Sequence, residues 1–239
     1  MAHANDTNTA AAKPVNNQHP HIHALFIGQP KTITDERGTW TSSIYRDPVS
    51  EPVLAQPGGL VGDKVAQPYH GGPDADICVH LLDHYRFWNA HYGMNLQAGF
   101  VGENFTLDGI HEAEICVGDL VRVGTALVQV TGPRIPCANL ARRIGRADWV
   151  KLTVRENRTG CYLSVIEAGL VAPGDGWLLQ ERFNPAGTIP AINRCLYLDF
   201  DPAYAEQMQQ MQGLAAYWKE AATECLANQQ EHWMAKMKE

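Results

Sequence analysis

The stretch Leu120-Val121-Arg122-Val123-Gly124-Thr125-Ala126-Leu127-Val128-Gln129-Val130 reads as two strands joined by a tight turn. Val121 and Val123 alternate with Arg122, and Val128 and Val130 with Gln129, so each strand presents one face to a core. Gly124 at the first central position is what a type II′ turn requires. The chain continues as Thr131-Gly132-Pro133-Arg134-Ile135-Pro136-Cys137-Ala138-Asn139-Leu140, where two prolines fix φ around Arg134-Ile135 and exclude regular helix there. A helix is predicted over residues 138–144. Outward from this hairpin, residues from about 21 to 183 fall into short apolar runs separated by Gly, Pro and Asp, the pattern of an all-β or α+β barrel. Tyr85, Phe87 and Trp88 supply an apolar stripe for one helix within it, over residues 83–91.

After Asn184-Pro185 the pattern turns helical. Thr188 can cap a short helix reaching residue 198, and Asp201-Pro202 is a cap followed by proline at the first helical position. Gly213 interrupts that helix. A third follows from about Leu214, with Leu214, Trp218, Ala222 and Cys225 along one face. The expected division is a flexible extension over residues 1–20, a mainly β, α+β barrel domain over 21–186 and a three-helix domain over 187–239.

Composition bounds the class. A chain of 239 residues that is 45% apolar and 19% charged is globular and can bury a sizeable core. Its net charge of −7 argues against nucleic acid or an anionic membrane as the main partner. The six cysteines are widely spaced and include no C-x-x-C pair, which points to reduced thiols and a cytoplasmic protein. No apolar run approaches the roughly 20 residues of a membrane span. The first 18 residues carry little charge and no continuous apolar region, as in a flexible extension and unlike a signal peptide.

Cys137 carries the most chemical content. A thiol at a helix start, three residues from Arg134, suits a thiolate ligand or nucleophile. A free cysteine is also commonly a small buried hydrophobe, and the residues alone leave both readings open. The segment from Arg134 to Arg158, with Arg142 and Arg143 inside it, holds seven basic and two acidic side chains, a local net of +5 that leaves −12 on the rest. Such a cluster beside a cysteine suits a phosphorylated ligand, or is a solvated helix face. His70-Gly71-Gly72-Pro73-Asp74 joins an imidazole and a carboxylate through a bend, and Gly102-Glu103-Asn104 sets an acid and an amide just after a glycine. Either is also readable as an ordinary turn. His19, His21 and His23 lack a nearby carboxylate for a metal site, and His80 and His84 lack the Glu of H-E-x-x-H. No G-x-G-x-x-G, Walker A or G-x-S-x-G sequence is present.

In order along the chain, Leu60-Val61-Gly62-Asp63-Lys64, His70-Gly71-Gly72-Pro73-Asp74, Gly102-Glu103-Asn104, Gly118-Asp119, Gly132-Pro133-Arg134-Ile135-Pro136-Cys137 and Thr159-Gly160-Cys161-Tyr162 resemble a MOSC domain. Together with Gly213-Leu214-Ala215-Ala216-Tyr217-Trp218, they resemble its bacterial hydroxylaminopurine-resistance branch over about residues 21–230. The resemblance implies a MOSC β-barrel and a molybdenum cofactor, molybdopterin with molybdenum, to which Cys137 is the protein ligand. It implies Arg134, Arg142, Arg143 and Arg158 as anion contacts. It also places Gly71, Glu103 and Asn104 at the cofactor, and His70 and Asp74 as catalytic proton carriers. The implied activity is reduction of N-hydroxylated compounds, with electrons from a separate reductase. The alternative is a non-catalytic carrier of the cofactor, or of sulfur on Cys137.

Overall fold

The computed structural model describes residues 19–67 and 71–231. The extension expected over residues 1–20 lies almost wholly outside these. In chain order the first strands are β1 (His21–Ile27), β2 (Lys31–Asp35), β3 (Gly38–Ser42), β4 (Asp47–Val49), β5 (Val53–Gln56), β6 (Gly59–Leu60) and β7 (Ile77–Leu81). Helix α1 (Leu82–Tyr92) leads to β8 (Phe105–Asp108), a short 3₁₀ turn (Glu112–Glu114), β9 (Leu120–Val123) and β10 (Ala126–Pro133). Then come α2 (Ala138–Ile144), α3 (Trp149–Arg155), β11 (Cys161–Glu167), β12 (Gly169–Val171) and β13 (Trp177–Glu181). The chain ends in α4 (Ile189–Asn193), which runs into a π turn (Arg194–Leu198), α5 (Pro202–Gln210) and α6 (Ala216–Asn228).

The hairpin forms as its alternation predicts. Ala126 pairs with Val123, Gly124 takes φ +55°, and Val121, Val123, Val128 and Val130 are all buried. It anchors an eight-stranded sheet in the order β13-β9-β10-β11-β7-β8-β1-β4. Smaller sheets, β12-β5-β6 and β2-β3, flank it. Within the large sheet β7 and β8 are parallel, and α1 lies in the crossover that such a pairing needs.

The fold is mixed α+β around one large curled sheet, and the closed β-barrel that the sequence leads one to expect is not found among the described residues. No ladder joins the end strands β13 and β4 among the described residues. The sheet curls far enough for one bridge between His21 and Gly176, with the Ile22 N–H donating 2.8 Å to the Asp175 carbonyl. Two further backbone bonds span the same gap, from the Gly174 N–H to the Ile22 carbonyl at 2.7 Å and from the Trp177 N–H to the Pro20 carbonyl at 2.8 Å.

The three C-terminal helices occur where their caps predict. Asp201 accepts from the N–H groups of Ala203 and Tyr204 at 3.0 and 3.2 Å, and the Thr188 hydroxyl accepts from Ala191. Their apolar faces join the sheet's own core, where Ile192, Met208, Trp218 and Cys225 cluster with Val121, Val128 and Leu163. Helix α3 escapes the sequence pattern, because Val150, Thr153 and Val154 are β-branched and weaken its helical signal. Tertiary contact decides it: Trp149 packs at a tilt against Trp88 with ring centroids 5.0 Å apart, in a second apolar cluster that α1, α2 and α3 share. Among the described residues no helix is long and apolar enough to cross a membrane.

Candidate functional site

Alternation along the central strands builds the site. Ile77, Val79 and Leu81 of β7, Phe105 and Leu107 of β8, and Cys161, Leu163 and Val165 of β11 face the main core. Successive strand residues point to opposite sides, so Cys78, His80, Thr106 and Tyr162 occupy the other face. Over part of that face lies a cavity of about 840 Å³, large enough for a sizeable organic ligand. Cys137, Arg134, Asn104, Gly71 and Asp74 all line it, so five residues named from sequence, 30 or more positions apart in places, meet at one site. His70 lies outside the described residues.

Cys137 is the N-cap residue of α2, partly exposed, with no side-chain capping bond. The Pro133–Pro136 turn sets it there: Arg134 donates its N–H to the Gly160 carbonyl at 2.9 Å, which fixes the turn against the start of β11. The Arg134 side chain is buried and donates 2.6 Å to the Val101 carbonyl. Burial works against its charge, but the acidic groups of Cys78, Tyr162, Cys137 and Glu103 outweigh it and hold its pKa above the ordinary arginine value. Burial also pushes the Cys78 thiol and the Tyr162 phenol up, so both remain protonated at neutral pH.

The sequence reading assigned no role to the strongest polar feature of the wall. Arg46 clamps Asp63 through Nε and Nη2, both at 2.8 Å, and donates from Nη1 to the Gly102 carbonyl at 2.5 Å. Asp63 accepts further from the Gly28 N–H at 2.7 Å and from Asn104 Nδ2 at 3.0 Å. Asn104 accepts in turn from the Cys78 N–H at 3.0 Å. Its polar atoms therefore brace the wall between β1, β7 and the Asp63 loop. Gly102 is required beside it, since it takes φ +70° and a Cβ there would sit 2.5 Å from Ile44.

Four residues expected at the ligand are placed elsewhere. Glu103 is fully buried outside the cavity lining and accepts from Tyr85 Oη at 2.8 Å, the Gly99 N–H at 2.7 Å and Thr106 Oγ1 at 2.6 Å. Arg142 pairs with Asp35, holding that carboxyl down to about 2 through its hydrogen bonds, and stacks over Trp40. Arg143 donates to the Ile44 carbonyl and stacks on Tyr45, and Arg158 pairs with Asp83 at 3.0 Å over the Phe87 ring. The reason is helical geometry: Arg142 and Arg143 stand in the last turn of α2, at the opposite end from Cys137. The cavity's cations are instead Arg46, Lys64 and Arg134. Arg46 is matched by Asp63, whereas Lys64 and Arg134 enter no ion pair among the described residues. A sequence signal existed for part of this. In Ile77-Cys78-Val79-His80-Leu81 the two polar-capable residues alternate with three aliphatics, marking a second, chemical face.

Beside the cavity, Gly160 takes φ +82° and its missing Cβ would lie 2.2 Å from the Val79 carbonyl. Gly160→Ala is expected to destabilise the fold by about 1–3 kcal/mol, read by chemical denaturation, because backbone must move between β7 and β11. Glu112 donates a second test. Burial raises its carboxyl from 4.5 to about 8, and burial lowers His80 from 6.5 to about 3. The unfolded chain releases the Glu112 proton above about 4.5 while the folded chain keeps it to about 8, so this group lowers stability as pH rises through that window. His80 acts oppositely, lowering stability as pH falls from 6.5 toward 3, since only the unfolded form takes the proton. Glu112→Gln should therefore raise the melting temperature at pH 8 and leave it unchanged at pH 4. An equal shift at both would contradict the buried neutral carboxyl.

Residues 66–176 match the family model of the MOSC domain. The uncharacterised protein YflK of Bacillus subtilis (strain 168) is 33% identical over 177 residues, 74% of this chain and 80% of that protein. A protein named "Reductase" from Gibberella moniliformis is 30% identical over 163 residues, 66% of this chain, but the chain spans only 29% of its length. The crystal structure of YiiM from Geobacillus stearothermophilus superposes with a TM-score of 0.73 at 34% identity, over 87% of this chain and 99% of that one. A partly exposed cysteine at the start of α2, above the polar face of an α+β sheet, thus sits within the matched domain, and the chain belongs to the MOSC-domain family, among its YiiM-like members.

Proposed function

We propose that the protein is a molybdenum-cofactor-dependent reductase of N-hydroxylated compounds. The observation that carries this reading is the Cys137 thiol, partly exposed in the 840 Å³ cavity with no capping bond of its own. The residues present fit the cofactor. Cys137, a partly exposed thiol on the cavity wall, would be the protein ligand to the metal, whose other ligands would come from the organic part of the cofactor. Lys64 and Arg134 supply positive charge for the anionic part of that group.

When bound, the cofactor supplies the two-electron chemistry that removes oxygen from an N–O bond. The net reaction takes a hydroxylamine, two electrons and two protons to an amine and water. Cys137 would hold the metal, the Arg46–Asp63–Asn104 brace keeps the cavity wall in place, and buried Arg134 would offset negative charge beside the sulfur. Asp74, exposed on the cavity rim, is the candidate proton donor nearest solvent, with His70 a candidate from the same segment of sequence. The Thr131 hydroxyl donates 2.5 Å to the Asp74 carbonyl and so ties this loop to β10. No flavin or haem motif stands in the chain, so a separate reductase delivers the electrons, and the free thiols suit the cytoplasm.

The test is to purify the protein from a host that makes the cofactor, assay molybdenum and pterin, and measure hydroxylaminopurine or hydroxylamine reduction with a chemical electron donor. Molybdenum with turnover supports the reading; molybdenum without turnover on any N-hydroxylated compound favours a carrier, and absence of both metal and pterin sinks the cofactor assignment. Lys64→Ala should weaken pterin retention by roughly tenfold, since one exposed charge-assisted phosphate contact is worth about 1–2 kcal/mol.

A further inference from the structure

The cavity covers only part of the polar face; the rest is sealed. His80, two residues beyond Cys78 on β7, is 2% exposed, and His84 in the first turn of α1 is 1% exposed. Their rings stand edge to face with centroids 4.8 Å apart. Glu112 is 5% exposed; its Oε1 accepts from the Gly160 N–H at 2.5 Å, and its Oε2 lies 3.6 Å from His84 Nε2. The Thr159 backbone approaches His80, yet neither His80 ring nitrogen makes a well-formed hydrogen bond, and nor do His84 Nδ1 or Glu112 Oε2. Buried polar atoms without partners are rare in native proteins, and several in contact call for water or a function. A void of about 10 Å³ adjoins His80, near the smallest volume that holds one water. It is lined by His80, Arg158, Thr159 and Arg134, and Arg134 also lines the large cavity.

We propose that Glu112, His84 and His80, with one water in this void, form a proton relay that ends at the Arg134 wall of the cavity. The proposal rests on the reductase reading for its purpose, since that reaction consumes two protons. The charged groups around the relay favour its neutral state. Arg134 and Arg158 face His80, and both oppose a positive charge on it. From α1, Asp83 pairs with Arg158 at 3.0 Å and lies 3.7 Å from Nδ1 of exposed His111, while Tyr85 turns its hydroxyl to Glu103. Burial, then His80 and Arg158, keep His84 uncharged, and burial keeps Glu112 protonated.

The cluster thus holds one acid and two neutral imidazoles. Glu112 passes its Oε2 proton to His84 Nε2 as His84 releases its Nδ1 proton toward His80. His80 takes that proton on one ring nitrogen and gives the proton of the other to the water, which releases one of its own protons past Arg134 into the cavity and ends neutral. Both imidazoles end neutral with their tautomers exchanged, ring rotation restores the first tautomers before the next proton, and Glu112 regains its proton from water. No heavy-atom bond changes and no electron moves.

The relay is tested by nitrogen-resolved NMR of the His80 and His84 ring N–H groups, with thermal unfolding to confirm that each variant is folded. Exchange of the His80 ring proton with bulk water should slow by at least about tenfold in Glu112→Gln and in His84→Phe. Unchanged exchange in both folded variants overturns the relay, whether or not the protein is a reductase. In cofactor-loaded protein, His84→Phe should lower kcat about tenfold or more and alter its pH profile, with KM and molybdenum content unchanged. If the wild type reduces no N-hydroxylated compound, the reductase reading falls while the exchange measurement still decides the relay.

Discussion

Replacing Cys137 by alanine is expected to remove molybdenum from protein made in a cofactor-competent host and to abolish hydroxylamine reduction, while the fold survives. Outer-shell partners of a metal ligand are worth about 10- to 100-fold in affinity, so loss of the single protein ligand should exceed the upper figure. Folding should change little. Cys137 is partly exposed, lies outside the main core and makes no capping bond, so Ala at that N-cap costs under about 1 kcal/mol. The measurements are elemental analysis beside thermal unfolding. Full molybdenum content in Cys137→Ala would sink the ligand assignment, and a large loss of stability would return Cys137 to the role of a packed hydrophobe.

The largest stability effect is expected at Asp63. Its carboxylate and Arg46 are about a tenth exposed or less, at 8% and 10%. Four donors converge on its two oxygens: Arg46 Nε and Nη2, the Gly28 N–H and Asn104 Nδ2. Asp63→Ala removes all four acceptor contacts and leaves the Arg46 guanidinium buried without its counter-charge, a loss of about 3–5 kcal/mol. For a chain of this length that lowers the melting temperature by roughly 10 °C. Arg46→Lys should fall between, because an ammonium cannot reproduce the two-pronged contact. A drop of only a degree or two in Asp63→Ala would show that this wall is organised by packing instead.

The motifs in the sequence mark the cavity well, but Glu103 serves it from behind, enclosed by Tyr85, Gly99 and Thr106. Asn104 lines the cavity and at the same time ties Asp63 to the Cys78 backbone. The arginine-rich segment divides in the fold, with Arg134 on the cavity wall and the α2 arginines away from it. Arg142 and Arg143 are close to Cys137 in number, yet the rise of a helix carries them to its far end, where Asp35, Trp40 and Tyr45 engage them. Arg46, 91 positions before Cys137, shares the cavity wall with Arg134.

What the sequence determined by itself is whatever depends on neighbours along the chain. The β9–β10 hairpin follows from apolar alternation and Gly124, the α4 and α5 starts from Thr188 and Asp201, and the Cys137 position from two prolines before a helical run. What only the tertiary structure decided is whatever depends on which surfaces meet. The sheet curls until residues 20–22 bond to residues 174–177, some 150 positions later in the chain. Helix α3 forms because Trp149 finds Trp88. Arg46 meets Asp63, and His80 meets His84 and Glu112, because the strand pairings bring remote segments to one buried face, where an unshared charge or polar atom is costly enough to dictate its partners.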